Sequence, residues 1–226
     1  MSFLRQAFAI AGKDLRSELR TKETINASLS FALVILLLFS FAFDPGSEQV
    51  HEIAGGLLWL VFIFAGALIL NRSFARELPN DCLEALLSSP TSGAELFFGK
   101  ALANFALLII VEFLCLPVFG VFYNTNWTRQ LPLLSAVLAL GTWGVTVIGT
   151  LFSAMTVNLR LRELMLPVLV YPMIIPVLIG AILLTNNLIA GAPLDPENLI
   201  WFRVLIAFDI IFTLLALALV ETVLVG

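Results

Sequence analysis

The sequence predicts an all-α, polytopic membrane protein with six transmembrane helices. Three observations predict this class: 60% of the 226 residues are hydrophobic, only 12% are charged, and the apolar residues gather in six long stretches. A soluble domain usually carries about 25% charged residues. Each stretch is near the ~20 residues that a helix needs to cross the hydrocarbon, where a helix satisfies its backbone polar groups internally.

The chain begins with a segment, residues 1–24, that is predicted to form an amphipathic helix in the inner membrane interface. Apolar side chains recur there at helical spacing, and Lys13, Arg16 and Arg20 fall between them. A solvated leader is the alternative. Because the segment lacks a small-residue cleavage pattern, we interpret it as mature protein rather than a signal peptide.

Six spans follow, within a single transmembrane domain predicted to cover residues 1–226. All basic residues except Arg129 and Arg203 fall on one side of the spans. Since Lys and Arg favour the cytoplasmic side, both termini are predicted to be cytoplasmic. The net charge of −4 and the scattering of the cations argue against nucleic acid as a partner. The predicted bounds are 25–43, 53–71, 101–123, 131–157, 164–184 and 201–223.

The longest polar break, residues 72–100, lies on the predicted cytoplasmic side. Within it, residues 82–88 can form about two helical turns, with Glu84 near the positive end of the helix dipole. Leu83, Leu86 and Leu87 share one face, and Pro90 follows the end. A short helix with an apolar face suits insertion into a groove on a partner. An interfacial turn that only connects two spans is the alternative.

Two acidic residues, Glu112 and Asp209, lie inside predicted spans. Such groups are costly in lipid and normally face the bundle interior or a cavity. A substrate path, a proton relay, a coupling element and a satisfied structural contact all remain open. Arg203 lies six residues before Asp209 and therefore on another helix face, so a pair between them is not expected within one helix.

Small residues recur every four positions in the fourth span, at Thr142, Thr146, Thr150 and Ala154. Such rows let helices approach closely, either within one bundle or between protomers. The fifth span contains three prolines, which break the regular hydrogen-bond ladder: Pro167, Pro172 and Pro176.

No motif for nucleotide binding, zinc binding or nucleophilic catalysis occurs in the sequence. Cys82 and Cys115 lack metal-ligand spacing, so no metal site and no catalytic residue are predicted. The lone histidine, His51, has no partner histidine and stays only a secondary candidate for contact with haem iron.

Two polar blocks carry a resemblance to a known family. The first holds Asn71-Arg72-Ser73-Phe74-Ala75-Arg76-Glu77, Leu83-Glu84-Ala85-Leu86-Leu87, Ser89-Pro90 and Gly99-Lys100, with Asn104. The second runs from Ser153 to Glu163, and Leu166-Pro167, Tyr171-Pro172 and Pro176 follow it. The chain resembles the cytochrome c maturation protein B family, also called haem exporter protein B, over essentially its full length.

The resemblance implies an exporter-type, ABC-2-like half-transporter in the bacterial inner membrane. It implies a second copy of the chain, two copies of a separate ATPase subunit, a haem-handling membrane protein with a tryptophan-rich motif and a small single-span protein. ATP then binds in the partner subunit, haem is handled by the complex, and a haem-loaded periplasmic chaperone is released. The chain itself is expected to be non-catalytic and to hold no cofactor of its own.

The resemblance also assigns residues to the contact with the ATPase. The docking and coupling set is Arg72, Arg76, Glu77, Cys82, Leu83, Glu84, Leu86, Leu87 and Pro90, and a second cytoplasmic loop holds Asn158, Arg160, Arg162 and Glu163. A permease exporting a lipid, polysaccharide or drug is the main alternative. An intramembrane enzyme using Glu112 and Asp209 is another, and it requires the two acids to meet. A carrier driven by an ion gradient is disfavoured because no internal repeat is visible.

Overall fold

The computed structural model describes residues 3–43, 48–77, 91–157, 159, 161–192 and 195–225. Within these ranges the chain is helical and contains no strand, so the all-α prediction is confirmed. A short 3-10 helix, Ala75–Glu77, follows the third long helix. The long helices are α1 (Phe3–Thr21), α2 (Glu23–Ala42), α3 (Glu48–Ser73), α4 (Gly93–Phe122), α5 (Leu131–Thr156), α6 (Arg162–Ala190) and α7 (Pro196–Val225).

Six of these helices, α2 to α7, are long and apolar enough to cross a membrane. At 1.5 Å per residue, their 20 to 30 residues span about 30 to 45 Å, which matches the hydrocarbon core with margins. The six predicted spans are therefore confirmed as helices of membrane length. The orientation of the bundle stays a prediction, and the ends of the helices near residues 23, 73 and 93 are called the inner end below.

The fourth helix starts eight residues before its predicted span. Ser92 and Glu95 form a capping box, in which the Ser92 hydroxyl accepts from the Glu95 backbone N–H and the Glu95 carboxylate accepts from the Ser92 N–H. This cap begins α4 at Gly93 and carries Lys100 into the helix. The predicted start of this helix was too late, because residues 93–100 include polar side chains and were assigned to the preceding loop.

The predicted amphipathic segment is a helix, α1, which crosses the inner end of α4. The two helices approach closely at Gly99, where a β-carbon would lie 2.7 Å from the Ala7 carbonyl oxygen and 2.8 Å from the Ile10 β-carbon. A side chain at position 99 would therefore separate the two helices. Lys22 has a left-handed backbone conformation, with φ of 56°, and this single residue joins α1 to α2.

The small residues of the fourth span pack inside this one bundle. A β-carbon at Gly141 would lie 2.2 Å from the Trp59 ring, and one at Gly149 would lie 2.3 Å from the Leu70 side chain. The Ser153 hydroxyl donates to the Leu70 carbonyl at 2.8 Å. Helix α5 is thus a central helix that α3 approaches closely, and the packing of its small residues lies within the chain.

Neutral hydrogen bonds hold the opposite, outer ends of the helices together. The Asn186 side chain on α6 accepts from the Gly55 backbone N–H at 2.6 Å and donates to the Glu52 carbonyl at 2.9 Å, both on α3. The Trp59 indole donates to Thr185 at 3.0 Å. On the neighbouring side, Asn187 donates to Asn198 of α7 at 2.7 Å.

Candidate functional site

Charged side chains from three segments meet at the inner end of the bundle. We call this group the inner ion-pair cluster, and its members are Lys13, Asp14, Glu18, Arg76, Glu77 and Lys100. They come from α1, the 3-10 helix after α3, and α4. The cluster lies directly before residues 78–90, which are outside the described part of the structure.

Lys100 is the buried cation of the cluster, with only 1% of its side chain exposed. Its ammonium group lies 3.2 Å from an Asp14 carboxylate oxygen and 3.1 Å from a Glu77 carboxylate oxygen, and it donates to the Ser73 carbonyl at 2.9 Å. It also stands 5.0 Å from the centre of the Phe74 ring, a favourable place for a cation. Four interactions from three segments therefore compensate for the lost hydration of this charge.

Lys13 supplies the second cation to the same carboxylates. Its ammonium group lies 2.7 Å from Glu77 and 3.1 Å from Asp14, and about half of the side chain is exposed. Two cations thus face two carboxylates, which makes this part of the cluster neutral. The arrangement joins α1 and α4 to the end of α3.

Glu18 is fully buried and joins α1 to the start of α2. One of its oxygens accepts from the backbone N–H groups of Thr24 and Ile25, at 2.6 and 3.0 Å, in the first turn of α2. The other accepts from the Arg76 guanidinium, which also donates to the Thr24 hydroxyl. The carboxylate therefore meets free N–H groups at the positive end of a helix dipole.

These contacts change the acidity of Glu18. Burial by itself raises the pKa of the carboxyl group, but the Ile25 N–H, the Arg76 guanidinium and Thr24 outweigh it. Together they hold that pKa below its ordinary value of 4.5. The carboxylate is thus charged near neutral pH although no part of it is exposed.

Neutral side chains connect the cluster to the bundle core. The Asn104 amide of α4 donates to the Ser73 hydroxyl and to the Thr150 hydroxyl of α5, both at 2.9 Å. A cavity of about 170 Å³ opens beside these groups, between charged side chains and the apolar residues Ile69 and Leu107.

Three of the predicted docking residues lie in the described ranges. Arg76 and Glu77 belong to the cluster, whereas Arg72 forms an exposed pair with Glu23 at 2.6 Å. Of the second predicted loop, Glu163 is exposed at the start of α6. The other predicted residues, or their side chains, lie outside the described part: Cys82, Leu83, Glu84, Leu86, Leu87, Pro90, Asn158, Arg160, Arg162 and His51.

Sequence reasoning missed four members of the cluster as site residues: Lys13, Asp14, Glu18 and Lys100. A signal was present for two of them, because Asp14 and Glu18 lie four residues apart and hence on one face of α1. Nothing local identified their partners, which are 58 to 86 residues away in sequence. The predicted roles of the docking residues stay predictions.

The two intramembrane acids lie apart from this cluster and from each other. Glu112 is fully buried; the Thr142 hydroxyl donates to one of its oxygens, and the other has no hydrogen-bond partner among the described residues. Asp209 is 7% exposed and packs near Gly144, and neither of its oxygens has a partner in the described ranges. Arg203 is exposed and does not pair with it, as expected. The arrangement lacks the direct contact between acids that the enzyme hypothesis requires.

Among the described residues, no three His, Cys, Asp or Glu side chains gather in a way that could hold a metal ion. Cys115 is a buried free thiol of α4. The polar groups that do gather form charge pairs between helices at the inner end. A bundle of six helices of membrane length with such a cluster defines a multi-pass α-helical membrane protein.

The comparison with known proteins gives the family. The model of the family described as CcmB protein matches residues 5–224, and the chain belongs to this family. The resemblance predicted from the two polar blocks is therefore confirmed.

Named relatives agree with this assignment along most of the chain. Heme exporter protein B of Rhodobacter capsulatus is 33% identical over 171 residues, which are 76% of this chain and 78% of the relative. The protein of the same name from Paracoccus denitrificans is 31% identical over 194 residues, or 86% and 88% of the two chains. That from Pseudomonas aeruginosa is 30% identical over 199 residues, or 88% of each.

Proposed function

We propose that this chain is the membrane permease subunit of an ABC-type complex that serves the biogenesis of c-type cytochromes. A separate subunit hydrolyses ATP, and the chain couples that hydrolysis to haem delivery and to release of a haem-loaded periplasmic chaperone. The observation that carries this proposal is the match to the CcmB family over residues 5–224. The relatives named Heme exporter protein B support the link to haem.

The proposed place of coupling is the loop after the inner ion-pair cluster. Residues 82–88 dock on the ATPase, and Arg76 and Glu77 connect this loop to the bundle. Their contacts support such a role, because Arg76 is bonded to Glu18 of α1 and Glu77 to Lys100 of α4. A displacement of the loop would therefore move α1, α3 and α4 together.

The chain contributes no chemistry in this proposal. ATP binds to two copies of the partner subunit, a second copy of the chain completes the membrane part, and haem is handled by the complex. A haem-handling membrane protein with a tryptophan-rich motif and a small single-span protein complete the assembly in the bacterial inner membrane.

The composition of the complex tests the proposal. We would purify the tagged chain gently from its native cells, identify its partners by mass and record haem absorbance. A Walker-motif ATPase together with a haem-binding membrane protein is the expected result. An ATPase without haem proteins would favour export of a lipid, polysaccharide or drug, and the absence of any ATPase would overturn the proposal.

Variants of the loop test the place of coupling. Glu84→Arg and Leu86→Asp should abolish assembly of c-type cytochromes while the chain stays inserted in the membrane. The matched control is Glu52→Arg, a charge reversal of an exposed residue at the opposite end of the bundle. Normal cytochrome assembly in both loop variants would show that residues 82–88 do not dock on the ATPase.

A further inference from the structure

Helix α1 presents three different faces around its circumference. At 100° per residue, the buried residues Ala7, Ala11 and Glu18 fall within about 40° of one another and face the bundle. The rest of the circumference is exposed or half-buried. Phe3, Lys13 and Leu15 also contact the bundle, and the remaining exposed side chains form two further faces, one apolar and one basic.

The second face is apolar and exposed. Leu4, Phe8 and Leu19 lie within about 60° of one another, and they are 56, 61 and 53% exposed. Leu15, partly buried, lies between them. Three large apolar side chains open on one stripe of a helix are costly in water, so this face requires an apolar surrounding.

The third face is basic and follows the apolar face by about a quarter turn. Arg5, Arg16 and Arg20 lie within about 60° of one another and are exposed. None of the three forms an ion pair with another described residue. By contrast, Lys13, Arg76 and Lys100 are each paired with a carboxylate, although Lys13 lies beside Arg20 on the helix circumference.

The position of α1 determines what surrounds these two faces. It meets α4 near the start of that helix, where Phe3 contacts Phe98 and Asp14 pairs with Lys100. Its C-terminal end contacts the first turn of α2 through Glu18. Thus α1 lies across the ends of helices of membrane length, at the level where hydrocarbon gives way to headgroups.

We propose that α1 is a binding surface for anionic phospholipids, in which Arg5, Arg16 and Arg20 contact the phosphate groups while Leu4, Phe8 and Leu19 enter the acyl region. Charge complementarity selects anionic over zwitterionic headgroups, since three guanidinium groups without an ion-pair partner among the described residues lie along one face. An apolar face next to a basic face is the arrangement of helices that lie in such an interface. The binding surface is independent of the function proposed above.

The fixed position of α1 adds to this selectivity. The helix is held to the bundle by Asp14, Glu18 and the close contact at Gly99. Its basic face is therefore presented to the membrane without a further cost of ordering the helix. If this basic segment were free to move, part of the binding free energy would be offset by the entropy cost of ordering it.

Competition between two lipids tests the proposal. The purified full chain in detergent would be mixed with equimolar phosphatidylglycerol and phosphatidylcholine of identical acyl chains, and the bound lipids would be counted by native mass spectrometry. The chain should prefer phosphatidylglycerol. Each basic residue near an anionic surface strengthens the attraction about fivefold, so Arg5→Gln with Arg16→Gln and Arg20→Gln should lower the preference by on the order of 100-fold.

Two control variants test whether the preference depends on positive charge and whether it depends on the position of that charge, and an unfolding measurement tests whether the Gln variant is folded. The variant with Lys at the same three positions keeps the charges and should keep most of the preference. Arg203→Gln, at the outer end of the bundle, should leave it unchanged. Because the three arginines are exposed and form no ion pair with a described residue, the Gln variant should unfold at the wild-type temperature in lipid-free detergent.

Either of two results would overturn the proposal. One is a wild-type chain that binds both lipids equally, which would assign the basic face to a protein partner or to solvent. The other is a Gln variant that folds normally and retains the full preference, which would place the anionic lipid elsewhere on the bundle. A preference that declines as salt is raised would support the contact between guanidinium and phosphate groups.

Discussion

The inner ion-pair cluster and the middle of the bundle both contain buried carboxyl groups, but they provide very different surroundings. Glu18 and Glu77 in the cluster are bonded to cations. Glu112 in the middle accepts one hydroxyl, and Asp209 has no partner among the described residues. A buried carboxylate is tolerated when it is paired and hydrogen-bonded, whereas an isolated one is very costly. We therefore expect charged carboxylates in the cluster and neutral carboxyl groups in the middle.

The comparison shows that burial alone does not define the role of an acidic residue. In the cluster, charge is used to join helices, because each carboxylate bridges two or more segments. In the middle of the bundle, burying a neutral carboxyl group costs much less free energy than burying a charged one, so few hydrogen bonds suffice to offset that cost. Substitutions that change charge should consequently have large effects at one place and small effects at the other.

The largest effect is expected for Lys100→Met. It removes the buried cation and leaves the carboxylates of Asp14 and Glu77 with only Lys13, so the free energy of unfolding should fall by about 3–5 kcal/mol. The decrease would be measured by thermal or denaturant unfolding of the purified chain in detergent. Arg72→Gln, which breaks an exposed pair with Glu23, is the control and should cost at most about 1 kcal/mol.

A direct comparison of the two regions uses the same neutral replacement in each. Glu77→Gln leaves two cations of the cluster short of a counter-charge and should cost about 2 kcal/mol. Glu112→Gln replaces a group that we expect to be neutral by one of similar shape and should change stability by less than about 1 kcal/mol. Equal losses in the two variants, measured by the same unfolding assay, would mean that Glu112 is charged in the bundle.

A smaller effect is expected where α1 meets α4. In Gly99→Ala the new methyl group would approach the Ala7 carbonyl oxygen, and such overpacking typically costs about 1–3 kcal/mol. The higher helix propensity of Ala returns about 1 kcal/mol, so the net loss should be about 1 kcal/mol.

Gly12→Ala is the matched control for Gly99→Ala. It lies on α1, where nothing is within 4 Å of the new β-carbon. It should therefore stabilise the chain by roughly 0.5–1 kcal/mol through propensity alone. If both alanine variants stabilised the chain, α1 would not be held as closely to α4 as the contact at Gly99 indicates.

The smallest effect concerns acid pH. The pKa of Glu18 in the folded chain lies below 4.5, so its contribution to stability is present above that pH. As the pH falls further, the unfolded chain takes up the proton first and the contribution is lost. As the pH is lowered from about 5 to about 3, the unfolding temperature of Glu18→Gln should decline less than that of the wild type. Parallel declines would contradict the assigned bonds of Glu18.

Much of the bundle could be predicted from the sequence because its signals are local. Six long apolar stretches specify six helices, and the stripe in residues 1–24 specifies α1. The start of α4 was predicted too late, since the capping pair Ser92 and Glu95 and the buried Lys100 resemble a polar loop. From sequence alone, a lysine near the end of a helix is predicted to be exposed, because its distant partners are not known.

The cluster could be predicted only in part, for the same reason. Arg76 and Glu77 were identified by resemblance to the family, but their contacts with α1 connect residues about 60 positions apart. No periodic pattern encodes such a pairing. The row of small residues in α5 predicted close packing, and only the structure identified the neighbours. Thr142 and Thr150 bond to Glu112 and Asn104 of α4, and the glycines beside the row meet Trp59 and Leu70 of α3.

The outer ends of the helices are joined by amide and hydroxyl groups, such as Asn186 with Gly55 and Trp59 with Thr185. These groups do not titrate, and salt screens them far less than it screens ions. The inner end is held mainly by ions. An experimenter can therefore weaken the inner end of this protein with acid while the outer end keeps its hydrogen bonds, and can ask which end must move during transport.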